Sequence, residues 1–153
     1  MLNKAFSISF PSDLNSCCIG KKWSLSEMTL APDSKIAGVE HPGAPRIEFS
    51  GQYGTYFLYD GNRIIHHGST VESLAKSLLG HTKDHFAGKW DTVTWVGFRP
   101  VNDNGELGPL PPDYPMAWYL ACLQAVIIKV FEPTLNTEED ISDVEIIEYT
   151  QTT

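Results

Sequence analysis

The clearest pattern of hydrophobic and polar positions in this chain predicts a β-hairpin near its middle. Residues 54–59 are rich in aromatic and β-favouring side chains, and residues 63–67 continue that character, so both runs are predicted to be strands. Between them stands Asp60-Gly61, a strong hairpin signal because glycine tolerates the positive φ angle that a tight turn requires. The second strand of this hairpin ends in two adjacent histidines.

A helix is predicted directly after the hairpin. Apolar residues recur at helical spacing from Val71 to Leu79. Residues 69–72 match a capping box, in which the serine hydroxyl and the glutamate carboxylate each bind a backbone N–H group of the first turn. Gly80 is expected to stop the helix, because glycine readily takes the conformation found just after helix ends.

Three further elements are predicted after this helix. Residues 91–99 have the composition of a third strand, in which Trp95 and Phe98 are expected to close the core over the hairpin. Residues 116–132 carry an apolar stripe at helical spacing and are predicted to form a second helix that ends at a proline. Residues 101–115 are rich in Gly, Pro, Asn and Asp, and they fit either a lid or specificity loop or a surface insertion.

The acidic charge of the chain is concentrated at its C-terminal end. The net charge is −8, but residues 138–153 hold six acids and no Lys or Arg, which leaves 13 acids against 11 bases elsewhere. An overall charge of this sign opposes broad non-specific binding of nucleic acid, which depends on Lys and Arg, yet the nearly neutral body can still present a local basic face. Residues 141–149 fit either an extra edge strand or a mobile segment.

The cysteine pattern and the apolar runs predict a cytoplasmic protein with no membrane partner. Cys17, Cys18 and Cys122 lack a zinc-like spacing and are interpreted as reduced thiols, with Cys122 expected to be buried in its helix. No apolar run approaches the roughly 20 residues that span a bilayer. The N-terminus lacks the long apolar region of a secretory signal.

The order of the predicted elements resembles that of the GIY-YIG nuclease family. That family opens with Gly-Ile-Tyr on one strand and Tyr-Ile-Gly on its hairpin partner, and a helix follows. The corresponding triplets here are Gly54-Thr55-Tyr56 and His66-His67-Gly68. The most specific match comes later, where residues 133–136 read Pro-Thr-Leu-Asn at the end of the second helix, as Pro-x-Leu-Asn does in the family.

The resemblance implies an α+β fold with a three-stranded antiparallel sheet flanked by helices over residues 46–137. Residues 1–45 would be an N-terminal extension, and residues 138–153 an acidic C-terminal tail. The implied activity is that of a metal-dependent DNA endonuclease, which hydrolyses phosphodiester bonds with Mg²⁺ or Mn²⁺. Two alternatives remain open: a non-catalytic binding or regulatory protein on the same scaffold with a protein partner, and an unrelated small interaction protein.

The resemblance also implies roles for residues of the hairpin and the first helix. Tyr56 and His66 would activate the attacking water, since a histidine can act as a general base near neutral pH. Lys76 stands where the family has a phosphate-binding arginine. Arg63 is a second candidate for phosphate contact, but a regular strand would point it away from His66, so this role requires a bulge or a bend. His67 is expected to face the other side of the sheet.

Gln124 is the main departure from the family pattern, because it occupies the position of the metal-binding glutamate. A neutral amide offers one oxygen but no negative charge to hold Mg²⁺. Three explanations remain open: catalysis has been lost, the residue is a deliberate Glu→Gln substitution, or another acid such as Asp84 or Glu72 takes over. Asn136 retains the final asparagine of the family motif.

The four-residue spacing of His81 and His85 would place both side chains on one face of a helix, a spacing that metals use. No Cys or carboxylate cluster completes a zinc site at a recognisable interval. The sequence therefore favours an ordinary polar helix end at these positions over a structural metal.

Overall fold

The computed structural model of this protein describes residues 16–70, 72–109 and 145–153, together with residues 122, 123, 126, 127, 130 and 131. Strands dominate these residues. The elements are β1 (Ser16–Ser24), β2 (Ala37–Val39), β3 (Ile47–Glu48), β4 (Gly54–Asp60), β5 (Arg63–Thr70), α1 (Leu74–Gly80), β6 (Thr92–Gly97) and β7 (Glu145–Thr152), with a 3₁₀ turn at Leu25–Glu27.

The seven strands form one mixed sheet in the order β3-β2-β7-β1-β6-β4-β5. β1 and β7 run parallel, whereas the other neighbours are antiparallel. The expected three-stranded sheet flanked by helices is therefore wrong. The reason is that β6 does not end the sheet: its outer edge pairs with β1, and β1 in turn pairs with β7, so backbone groups that a helix-flanked sheet would leave unpaired are satisfied by further strands.

Both ends of the described chain contribute to this sheet. β1 comes from the predicted N-terminal extension and β7 from the predicted acidic tail. β7 lies between β2 and β1, so its position is inside the sheet and not at an edge. The alternating side chains of a strand with two paired neighbours explain how Tyr149 becomes buried within an acidic segment.

The predicted hairpin is confirmed. β4 and β5 pair from Gly54 opposite Thr70 to Asp60 opposite Arg63, and the connecting turn contains Gly61 at a φ of +60°. This conformation is the one that glycine adopts without steric conflict. The hairpin therefore folds for the local reason that its turn sequence indicates.

β5 carries a bulge between the residues that pair with Leu58 and Tyr59. Leu58 lies opposite His66, but Tyr59 lies opposite Ile64, so Ile65 is the extra residue. Ile65 packs against the same core as Tyr56, whereas Ile64 packs against the core on the other face of the sheet. The bulge thus changes which side chains of β5 share a face.

The predicted capping box is wrong about where the first helix begins. α1 starts at Leu74, and its N-cap is Ser73, whose hydroxyl accepts a hydrogen bond of 3.0 Å from the backbone N–H of Lys76. Thr70 belongs to β5 because it pairs with Gly54. Pairing with β4 therefore keeps Ser69 and Thr70, which the cap pattern assigned to the helix start, in the strand.

Two hydrophobic cores lie on opposite faces of the sheet. The first core contains Tyr56 and Leu58 of β4 with the buried face of α1. The second core contains Phe57 and Tyr59, which alternate with them along the strand. Trp95 lies in the first core and is 1% exposed, as predicted, whereas the half-buried Phe98 packs against the second.

Cys122 and Val126 are helical and buried in the second core, which confirms the predicted burial of the Cys122 thiol. Cys17 and Cys18 are also buried, and none of the three cysteines is in a disulfide. In the part of the chain that the structure describes, no helix is long and apolar enough to cross a membrane.

Candidate active site

Tyr56, His81 and Asp84 form a hydrogen-bonded chain on the α1 side of the sheet. The Tyr56 hydroxyl lies 2.9 Å from Nε2 of His81, and Nδ1 of the same ring lies 2.7 Å from Oδ2 of Asp84. The three residues come from β4, from the C-cap of α1 and from the turn that follows it. We call this group the Tyr56–His81–Asp84 chain.

Neighbouring side-chain and backbone groups hold each member of this chain in position. The indole N–H of Trp90 donates to the carbonyl oxygen of His81 at 3.1 Å. The second carboxylate oxygen of Asp84 accepts the backbone N–H of Phe86 at 2.8 Å. The phenol of Tyr56 packs against Gly68, where any Cβ atom would clash with the hydroxyl oxygen.

His66 lies beside this chain on the same face of the sheet. Its ring centroid is 4.8 Å from that of His81 and 6.2 Å from that of Tyr56. Phe86 packs against His66 on another side, at a centroid distance of 4.6 Å. The structure therefore brings Tyr56 and His66, both implied by the motif resemblance, into one cluster of titratable groups.

The environment shifts the pKa of Tyr56 and that of His66 in opposite directions. Burial raises the pKa of Tyr56, a hydrogen bond with Ser77 opposes that shift, and the charge of Asp84 adds to it. Burial lowers the pKa of His66, and the neighbouring imidazole of His81 lowers it further. At neutral pH the phenol therefore keeps its proton, while the imidazole of His66 is neutral and can accept one.

Asp84 stays ionised because its hydrogen bonds outweigh its desolvation. Desolvation alone would raise the pKa of this carboxyl group, but the Phe86 N–H and the His81 ring lower it below its ordinary value. An ionised carboxylate accepts a proton donor at Nδ1 of His81, so that nitrogen carries a proton and Nε2 faces the phenol. A base or acid oriented by a third group in this way is a recurring arrangement in catalytic sites.

On a regular strand Arg63 and His66 would face opposite ways, but the bulge at Ile65 places both on the same face of β5. Arg63 and Ile65 line one cavity together with Phe86, the residue that packs on the ring of His66. His67, in contrast, stacks on Phe57 of the second core at 4.7 Å. The adjacent histidines thus lie on opposite faces, as the strand alternation predicts.

Lys76 is on the exposed face of α1, where its ammonium group forms an ion pair with Glu72. The residue of α1 that influences the pKa of Tyr56 is the next one, Ser77, which lowers it. A phosphate-binding role for Lys76 therefore stays a prediction, since its recorded partner is a carboxylate and not a member of the cluster.

Gln124 and Asn136 lie outside the described residues, so their implied roles stay predictions. Two described neighbours of position 124, Cys122 and Val126, are buried in the second core, on the opposite face of the sheet from Tyr56. Among the residues that the structure describes, no group of three His, Cys, Asp or Glu side chains is arranged to hold a metal ion. Both ring nitrogens of His81 are engaged by Tyr56 and Asp84, so this cluster does not fit a metal, and we derive no step through one.

Sequence reasoning named Asp84 only as a replacement acid for the metal site and His81 only as part of a metal spacing, so it missed the hydrogen-bonded chain that they form with Tyr56. The four-residue spacing of His81 and His85 indicated this segment only as a candidate metal site. The spacing that matters is the three residues from His81 to Asp84, which brings a carboxylate to the ring within one turn. Pairing of this turn with Tyr56 depends on the packing of α1 against β4, which no local pattern shows.

Neither protein-family models nor curated proteins nor solved structures gave a match to this chain. The function must therefore be inferred from the residues themselves and from the geometry of the cluster.

Proposed function

We propose that this protein hydrolyses phosphodiester bonds in DNA, with the Tyr56–His81–Asp84 chain and His66 as its acid–base centre. The observation that carries the proposal is the contact of 2.9 Å between the Tyr56 hydroxyl and Nε2 of His81. Asp84 contacts Nδ1, the other nitrogen of the same ring. The nuclease motifs around Tyr56 and His66 support the substrate class, because they resemble those of a phosphodiester-hydrolysing family.

Hydrolysis requires a base for the attacking water and an acid for the leaving oxygen. His66 is the base, because its lowered pKa keeps the imidazole neutral at pH 7 and ready to accept the proton of water. Tyr56 is the acid, because its raised pKa keeps the phenol protonated. Two titratable groups whose pKa values are shifted apart are the pattern expected of an acid–base pair.

The Tyr56–His81–Asp84 chain supplies the proton that the leaving oxygen takes. As the Tyr56 phenol gives its proton to the leaving oxygen, Nε2 of His81 delivers a replacement proton to the phenol oxygen across their hydrogen bond. This transfer requires a proton on both ring nitrogens of His81, and Asp84 is placed 2.7 Å from Nδ1 to stabilise that form. The products are a phosphate monoester and an alcohol. The proton that His66 takes from water leaves for solvent, and His81 regains one proton from solvent, so both histidines return to their starting state.

The proposal is tested by assaying plasmid cleavage with Mg²⁺, with Mn²⁺ and with a chelator. The chain as it stands is compared with Gln124→Glu, which restores the charge at the position that the family uses for metal. In whichever of the two cleaves, Tyr56→Phe is expected to lower the rate about 10²- to 10⁴-fold, because general acid catalysis contributes that much.

Tyr59→Phe is the matched control, because it also removes a phenol hydroxyl from β4. Tyr59, however, lies in the second core. We expect it to keep full activity. Absence of cleavage by the unsubstituted chain and by Gln124→Glu under every divalent ion would overturn the proposal. Equal loss in both phenylalanine variants would instead remove the Tyr56–His81–Asp84 chain from the mechanism.

A non-catalytic binding protein is the second candidate, and the net charge of −8 favours it because acidic proteins repel phosphates. Such a protein would take a basic protein partner. Failure to cleave DNA, combined with stable binding to a basic protein and none to nucleic acid, would establish this alternative.

A further inference from the structure

A cavity of about 570 Å³ lies directly beside the proposed acid–base centre. Ile65, Phe86 and Trp90 form its apolar part. Phe86 lines the cavity and also contacts the centre, because its ring centroid lies 4.6 Å from that of His66 and 5.5 Å from that of His81. A ligand in the cavity would therefore reach the ring that contacts both histidines of the centre.

The rim of this cavity carries two cationic and two anionic side chains, together with His85. Arg63 and Lys89 are cations, whereas Asp60 and Asp91 are anions. Arg63 lies 3.4 Å from Asp60, and the Asp91 carboxylate accepts the Gly61 N–H at 3.3 and 3.4 Å. Lys89 is exposed, and among the described residues no ion pair involves it.

This composition fits a nucleobase better than a phosphate. A phosphate group requires a surplus of positive charge, and here the cations Arg63 and Lys89 are matched in number by the acids Asp60 and Asp91. A base offers a flat apolar face for the Phe86 ring and an edge that both donates and accepts hydrogen bonds. The volume of the cavity also lies in the range of small-ligand sites.

We propose that this cavity binds a nucleobase of the DNA strand whose phosphate is cleaved at the Tyr56–His81–Asp84 chain, an inference that rests on the proposed function. A base reaches such a cavity only when it is unstacked, so the strand is single or its base is flipped out of a duplex. Arg63 faces the cavity because of the bulge at Ile65, and this irregularity of β5 thereby serves binding.

The test compares binding of two short single-stranded oligonucleotides in the presence of a chelator, measured by fluorescence anisotropy. One carries natural bases, and the other has the same phosphates with abasic tetrahydrofuran sites throughout. We expect the unsubstituted chain to bind the base-bearing strand about tenfold more tightly, because base–aromatic stacking contributes that much per base.

Phe86→Leu should abolish this preference, because it removes the ring but keeps an apolar side chain. Phe98→Leu is the matched control, since Phe98 lies against the second core on the other face of the sheet, and it should retain the preference. Lys89→Ala changes an exposed side chain, which leaves folding intact, and it should weaken binding of the base-bearing strand more than binding of the abasic strand.

Equal affinity for the two strands would overturn the inference while leaving the proposed function to the cleavage assay. Loss of the preference in Phe98→Leu as well as in Phe86→Leu would also overturn it, because the effect would not belong to the cavity. Failure to bind either strand, in a protein that still cleaves plasmid, would reject the base site alone. Failure in both assays would reject the base site and the nuclease function together.

Discussion

His66 is the residue whose environment most directly predicts how activity depends on pH. Its imidazole is half-buried, and burial together with the charge of His81 lowers its pKa below the ordinary value. A general base works only when unprotonated, so the rate should rise with pH through this lowered pKa and fall on acidification below it. The acidic limb of the pH–rate profile is therefore expected below about pH 6.5.

His67→Gln should move that limb to higher pH. His67 also lowers the pKa of His66 through its charge, although it lies on the other face of the sheet. Removing this neighbour raises the pKa of His66 toward its ordinary value. A proton NMR titration of the His66 ring measures the shift without requiring catalysis, and an unchanged or lower midpoint would contradict the assignment.

The lowered pKa of His66 also affects the stability of the fold. Because the folded state binds the proton of His66 less readily than the unfolded chain does, this residue destabilises the fold as pH falls below the unfolded value of about 6.5. Above that pH its contribution disappears. The direction is opposite to that of a histidine stabilised by an ion pair.

Gly68 is a second residue whose role follows from a close contact. A methyl group at this position would meet the hydroxyl of Tyr56. We expect Gly68→Ala to lower the free energy of unfolding by about 1–3 kcal/mol, as overpacking does, and to displace the phenol from His81. Denaturant titration measures the loss.

Gly80→Ala is the control for this substitution, because nothing lies within 4 Å of the position that its Cβ would occupy. It should leave stability unchanged or raise it slightly. If the two alanine variants were equally stable, the packing of Gly68 against Tyr56 would not be tight.

At the scale of elements, the start of α1 distinguishes the structure from the sequence pattern. Ser73 caps the helix through its hydroxyl, whereas Ser69 lies on β5 opposite Thr55. Ser73→Ala should therefore cost about 1 kcal/mol of stability, which is typical of a lost N-cap. Ser69→Ala, at an exposed strand position, should change stability by less than about 0.5 kcal/mol. The reverse ranking in thermal or chemical denaturation would restore the predicted capping box.

Arg99 shows how a single side chain orders the loop after β6. Its guanidinium donates to the carbonyl oxygens of Gly51 and Gly108 at 2.8 Å each and to that of Leu107 at 3.1 Å. Val101 and Leu107 also pair across this loop. The Gly- and Pro-rich composition predicted irregular structure here, but not that an arginine would tie it to the start of the hairpin.

At the scale of the whole molecule, the sheet depends on its C-terminal strand. β7 lies between β2 and β1, so its removal would expose backbone groups on both neighbours and open the first core at Tyr149. A chain lacking residues 145–153 should therefore show no cooperative unfolding transition. Removal of Thr153 alone, which lies beyond the strand, should leave the transition intact. A truncated chain that still melted cooperatively would mean that β7 is dispensable.

The candidate site could be predicted only in part. Tyr56 and His66 were identified because they stand at motif positions on paired strands, and pairing within a hairpin is local. His81 and Asp84 required the end of α1 to lie against β4. Arg63 required a bulge, which arises from how β5 meets β4 and leaves no clear mark in the residue order.

What the sequence determined by itself is the hairpin and the existence of α1, because turn chemistry and apolar spacing act within a few residues. The tertiary structure decided the number and order of strands, since β1 and β7 pair across more than 120 positions of the chain. It also decided the Tyr56–His81–Asp84 chain. Hydrogen bonds between residues distant in sequence depend on how whole elements pack, and that packing is settled by the two cores together.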